Sequence, residues 1–110
     1  MDVHQLLLYE YVEDMLERRV PYREAHLERI AVERDAGRIV MSGPFGDPQP
    51  DDVGAAHEGE AGRRAGGGPT GAAIVFHGVE PDQVESFALE DPYVRAGLVT
   101  AWRVERWNVA

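Results

Sequence analysis

The chain contains no cysteine, which removes disulfides, thiolate-bound zinc and cysteine nucleophiles together and fits a reducing compartment. Basic charge is scarce as well. Eleven Lys and Arg stand against twenty Asp and Glu, for a formal net charge of −9. A polyanion would have to overcome that field, so neither nucleic acid nor an anionic membrane is an expected partner. Long apolar runs are missing too. Met1-Asp2-Val3-His4-Gln5 is acidic and polar ahead of only three leucines, so no signal peptide is expected, and no run approaches a membrane span. The expectation is a cytoplasmic protein. Its 110 residues leave room for one domain, 1–110, large enough to bury a core without staples.

What is present reads as alternating strands and helices. Gln5 to Val12 is rich in Leu and Tyr and predicts a strand, with Leu6 and Leu8 on one face and Leu7, Tyr9 and Tyr11 on the other. Glu13 to Ala36 carries charges at helical spacing. Pro21 divides it into a short helix and a longer one that begins near Pro21. Leu27, Ile30 and Ala31 form the apolar stripe of the longer helix, and Gly37 is placed to end it. Arg38 to Met41 predicts a second strand, broken by Ser42-Gly43-Pro44. Asp47 to Thr70 is loop by composition, and its length suggests a mobile segment or lid over a site. Ala72 to Val79 follows as a third strand. Pro81 opens a second helix on Val84, Phe87 and Ala88, which Pro92 stops. Leu98 to Val109 closes the chain as a fourth strand.

Strand, helix, strand, strand, helix, strand is the ferredoxin-like βαββαβ order. Right-handed crossovers insert the third strand between the first two and put the fourth beside the first. An α+β fold follows: a four-stranded antiparallel sheet with both helical regions on one face. Strands one and four leave apolar side chains on the other face, and a twofold copy of the chain is the expected cover.

The candidate chemistry centres on one histidine. His26 lies on the longer helix, with Arg23 one turn before it and Ile30 one turn after, at the border of the apolar stripe. A neutral imidazole there can accept a proton, and Arg23 can hold an anionic substrate. Asp91-Pro92-Tyr93 is a helix cap by composition. Asp91 could also orient His26, as carboxylate–imidazole pairs do in acid–base sites, and Asn in its place should cost about 1 kcal/mol or less because Asn still caps. Asp35 is a second candidate partner, although two and a half turns separate it from His26. Leu27 and Phe87 are expected to exclude water on the core side, while Ser42-Gly43-Pro44 lets backbone approach a ligand. The remaining histidines read as incidental (His4, His57) or as structural (His77). His57, Glu58 and Glu60 form a solvated acidic loop before they form a metal site, and no metal or cofactor is expected. Gly66 to Gly71 matches a dinucleotide-binding glycine pattern but precedes a strand instead of a helix, so that reading is rejected.

Arg23-Glu24-Ala25-His26-Leu27, Gly37, Gly43-Pro44, Gly71 and Asp91-Pro92-Tyr93-Val94-Arg95-Ala96-Gly97 occur in an order that resembles the YciI-like (YCII-related) family of small α+β proteins. The resemblance spans nearly the whole chain. It implies a dimeric α+β barrel assembled through the sheets and a histidine–aspartate centre in a pocket. The long Asp47–Thr70 loop and Pro21 depart from the simpler members. Within this resemblance the expected function is a cofactor-free lyase or isomerase for a small molecule. His26 would be the acid–base group and Asp91 its partner, with Arg23, Ser42, Gly43 and Pro44 as ligand contacts. A non-catalytic dimeric ligand-binding or stress-accessory module is the alternative.

Overall fold

The structure, a computed structural model, describes residues 2–46 and 68–110. Its elements run β1 (Asp2–Tyr11), α1 (Met15–Arg18), α2 (Arg23–Asp35), β2 (Ile39–Gly46), β3 (Pro69–His77), α3 (Pro81–Glu90), α4 (Pro92–Arg95) and β4 (Val99–Val109). The strands form one antiparallel sheet in the order β2-β3-β1-β4, the arrangement that the element order predicts. Among the described residues no helix is long and apolar enough to cross a membrane.

Alternation along β1 decides which face holds the core. Leu7 and Tyr9 are buried, while Leu6 and Leu8 on the opposite face are half-buried. Register carries the same choice across the sheet, pairing Leu7 with Ile74 and Val104, and Tyr9 with Ala72 and Trp102. Ile30 of α2 and Val84, Phe87 and Ala88 of α3 pack onto this face. Each large apolar side chain buried there contributes about 1.5–3 kcal/mol. Gly71 pairs with Glu10, and a Cβ at that position would run into the carbonyl oxygen of Tyr9. Only glycine lets β3 lie this close to β1.

Several boundaries differ from expectation. Pro21 lies in the turn ahead of α2, not inside its first turn. Ser42-Gly43-Pro44 does not break β2, which continues to Gly46. The strand is at the sheet edge, where a proline's missing N–H costs little. β3 begins at Pro69, so the predicted loop loses Pro69 and Thr70 to a strand. The rest of that segment, with His57, Glu58 and Glu60 and the expected lid, lies outside the described residues. The stripe of α2 is also turned: Leu27 is 41% exposed, while His26 is 6% exposed and Ile30 is buried. His26 is therefore a core-facing residue and not a border one.

α2 ends as Gly37 predicts. Gly37 has φ +81°, its N–H donates to the Arg34 carbonyl (3.0 Å), and the Arg38 N–H reaches back to Glu33 (2.9 Å). These are the two bonds of a left-handed helix closure. The same pair of bonds ends α4, where Gly97 donates to Val94 and Leu98 to Tyr93. Leu98 and Tyr93 then share a small second core with Met15.

Candidate active site

Asp91 stands at the joint between two helices. It closes α3, its N–H donating to the Ala88 carbonyl, and opens α4, its carboxylate accepting from the Tyr93 N–H at 3.0 Å. Pro92 fixes this break, because a residue before proline is held in the extended region and Asp91 has ψ 129°. The expected cap is thus present, but it does more than cap. Asp91 is 0% exposed, so its carboxylate must find all its hydrogen bonds within the protein.

Two further donors supply them. His26 Nδ1 lies 2.9 Å from Oδ1 and 3.0 Å from Oδ2, and the Tyr9 hydroxyl donates to Oδ2 at 2.7 Å. Three elements, β1, α2 and the α3–α4 joint, meet on this one carboxylate. Burial first, and then the neighbouring Asp91 charge, push the Tyr9 phenol far above its ordinary range. Tyr9 therefore stays a donor at any working pH. The His26 ring stacks on Tyr93 with centroids 3.9 Å apart and planes 10° apart, and Tyr11 meets Tyr93 edge-on at 6.0 Å. The imidazole is held in its plane by stacking and along one edge by the carboxylate. With Nδ1–H given to Asp91, the neutral ring carries its lone pair on Nε2.

A cavity of about 300 Å³ opens on this ring, the size of small-molecule sites. Successive turns of α2 form one wall through Arg23, His26, Ile30 and Arg34; the edge strand forms the other through Ser42, Gly43 and Pro44. Arg23, His26, Ser42, Gly43 and Pro44, all expected at the site, are brought together here, with Asp91 behind the imidazole. Asp35 is exposed at the end of α2 and does not line the cavity, so Asp91 is the partner of His26. The expected water shield is corrected in part. Leu27 sits at the rim, half in solvent, and Phe87 packs against Phe76 and Arg29 instead of lining the cavity. Ile30, Ala72, Ile74 and Tyr93 supply the apolar wall.

Four contributors were not singled out from sequence. Tyr9 and Tyr11 read as sheet-face aromatics, and nothing local tells that Tyr9 reaches a carboxylate 82 positions away. Arg19 and Arg34 also line the cavity, and Arg19 is 4% exposed. Arg34 was legible in principle, since 23, 26–27, 30 and 34 follow one helical face. Every basic residue of the chain is arginine, so the cavity's cations are planar guanidinium groups suited to carboxylate, phenolate or phosphate oxygens.

Comparison with known proteins agrees with this architecture. The protein YciI of Escherichia coli O6:H1 is 33% identical over 85 residues, which is 77% of this chain and 76% of that protein. YciI of Shigella flexneri matches to the same extent. Among solved structures, the 5-chloro-2-hydroxyhydroquinone dehydrochlorinase TftG of Burkholderia phenoliruptrix AC1100, in complex with 2,5-dihydroxybenzoquinone, superposes with a TM-score of 0.72 at 24% identity, covering 97% of this chain and 95% of that one. That likeness is one of fold. The YCII-related domain profile matches residues 3–108, and the chain belongs to the YCII-related family.

Proposed function

We propose that this protein is a cofactor-free, small-molecule enzyme of lyase or isomerase type, with His26 as its acid–base group, working as a pair of copies joined through their sheets. The observation that carries the reading is the His26 Nδ1–Asp91 contact at 2.9 Å behind a cavity bordered by arginines. Nε2 takes a proton from the bound molecule, and Asp91 stabilises the imidazolium as it forms. In an elimination, the freed electron pair becomes the new double bond and expels the leaving anion; in an isomerisation, His26 returns the proton to a neighbouring atom. Arg23, with Arg19 and Arg34, holds the negative charge that develops on the substrate. Ser42 and the backbone at Gly43 and Pro44 border the ligand on the opposite side. Asp91 acts through His26, and Tyr9 through Asp91.

The Burkholderia dehydrochlorinase acts on 5-chloro-2-hydroxyhydroquinone and was captured with 2,5-dihydroxybenzoquinone. Both suggest probes of the right kind: planar, single-ring, oxygen-rich. The test titrates the protein with 2,5-dihydroxybenzoquinone and a panel of monocyclic phenols and carboxylates, then follows turnover of chlorinated members by chloride release. Binding is expected to weaken in Arg23→Gln, and turnover to vanish in His26→Ala while the circular dichroism spectrum is unchanged. Binding without turnover in the wild type would favour the ligand-binding module. Binding indifferent to both substitutions would remove the site.

A further inference from the structure

A second constellation lies on the opposite face of the sheet, at the other end of β1. Alternation puts Asp2 and His4 on the same face, and the antiparallel register sets His77 of β3 directly across from His4. The His4 and His77 rings lie 4.6 Å apart, and His77 Nε2 is 2.9 Å from Asp2 Oδ1. One donor atom from each of the three residues falls within 4.8 Å of the others. Ligand atoms around a tetrahedral ion with bonds of about 2.0–2.1 Å stand about 3.4 Å apart. The His77–Asp2 contact at 2.9 Å is tighter than that spacing, and the 4.8 Å limit of the set is wider. His4 supplies an independent sign: its Nδ1 is buried with no hydrogen-bond partner among the described residues. An imidazole nitrogen left dry and unpaired is unfavourable, and a bound ion would give it a partner.

We infer that Asp2, His4 and His77 bind one divalent transition-metal ion of the zinc or cobalt type. Two imidazoles and one carboxylate suit Zn²⁺, Co²⁺, Ni²⁺ or Cu²⁺, and two imidazoles disfavour Ca²⁺ and Mg²⁺, which take oxygen ligands. The set has one carboxylate against a dipositive ion and leaves a coordination position for water. The ion would tie the start of β1 to the end of β3. Sequence spacing conceals the site, since its two histidines are separated by 72 intervening residues and meet only through strand register.

Trp107 provides the readout, its ring system lying 6.1 Å from that of His4. Co²⁺ is titrated into the full chain, following visible absorption and tryptophan fluorescence, with Zn²⁺ as competitor. Expected are one saturable equivalent per chain, quenching reversed by Zn²⁺, and affinity reduced roughly tenfold or more in His4→Ala, His77→Ala and Asp2→Asn. Trp107→Phe should keep the binding and lose most of the quenching. Circular dichroism verifies that each variant is folded, and Trp107→Phe tests the location without touching a ligand. Undiminished Co²⁺ binding in the His4→Ala/His77→Ala double variant would overturn the assignment. So would full quenching in Trp107→Phe, or no saturable binding by the wild type.

Discussion

Asp91 is one residue asked to do three things. It caps α4, it receives the Tyr9 hydroxyl, and it holds His26 through Nδ1. A cap alone tolerates asparagine. A fully buried carboxylate with three donors does not, because an amide has one acceptor oxygen and brings two N–H donors of its own. The expected cost of Asp91→Asn therefore rises from about 1 kcal/mol or less to about 1–3 kcal/mol, the penalty for leaving buried polar groups mispaired. Tyr9→Phe removes one hydrogen bond to a charged group and should cost about 1.5–3 kcal/mol. Urea unfolding of the two variants checks both values. If Asp91 serves only as a cap, Asp91→Asn will stay within a few tenths of wild type and Tyr9→Phe will be silent.

At the scale of elements, α2 is a wall with two faces. The face through Arg23, His26, Ile30 and Arg34 borders the cavity, while Arg29 reaches across to α3, donating to the Phe87 carbonyl at 3.0 Å and lying 4.2 Å above the Phe87 ring. The helix end is tied to β2 by Arg38, whose Nε and Nη2 donate to the two oxygens of Glu33 at 2.8 and 2.9 Å. This bidentate pair holds the Glu33 carboxyl below its ordinary value of 4.5. A carboxylate whose folded pKa is depressed contributes stability above its unfolded pKa and loses it as pH falls through the folded one. The stability difference between wild type and Glu33→Gln should thus be complete at pH 7 and close progressively below about pH 4.5. Denaturant midpoints measured from pH 7 to pH 3 test this, and a difference constant over that range would mean that the pair contributes nothing.

At the scale of the whole molecule, the helices cover one face of the sheet, and among the described residues no helix packs on the other. Leu6, Leu8, Ala73 and Val75 form its centre, extended by Met41 and Phe45 from the edge strand and by Trp107 and Val109 from β4. Met41, Phe45 and Trp107 are each more than 40% exposed. β4 is the more polar contributor, since Arg103 and Glu105 pair with each other on the same face. Strands one and four both contribute apolar side chains to this face, as the sequence predicts, and β3 and β2 add further ones. A second copy is the proposed cover. Light scattering should give twice the chain mass at micromolar concentration, and Leu8→Glu with Val75→Glu should give single chains. A wild-type mass of one chain would rule the pairing out.

The order of elements and the sheet topology were legible in the sequence, because both follow from short-range periods and from the handedness of crossovers. So were Gly37 and Asp91 as helix-end residues, and the grouping of Arg23, His26, Ser42, Gly43 and Pro44. Tertiary structure decided the rest. A helix stripe read from hydropathy alone favoured Leu27 over His26, and only the buried carboxylate of Asp91, brought from another element, makes it favourable to turn the imidazole inward. Strand breakers at Ser42-Gly43-Pro44 act only where both edges of a strand are paired, and among the described residues β2 pairs along one edge alone. Tyr9 as a donor to Asp91, and His4 opposite His77, depend on registers set across the sheet. No local pattern encodes which residues two strands bring face to face.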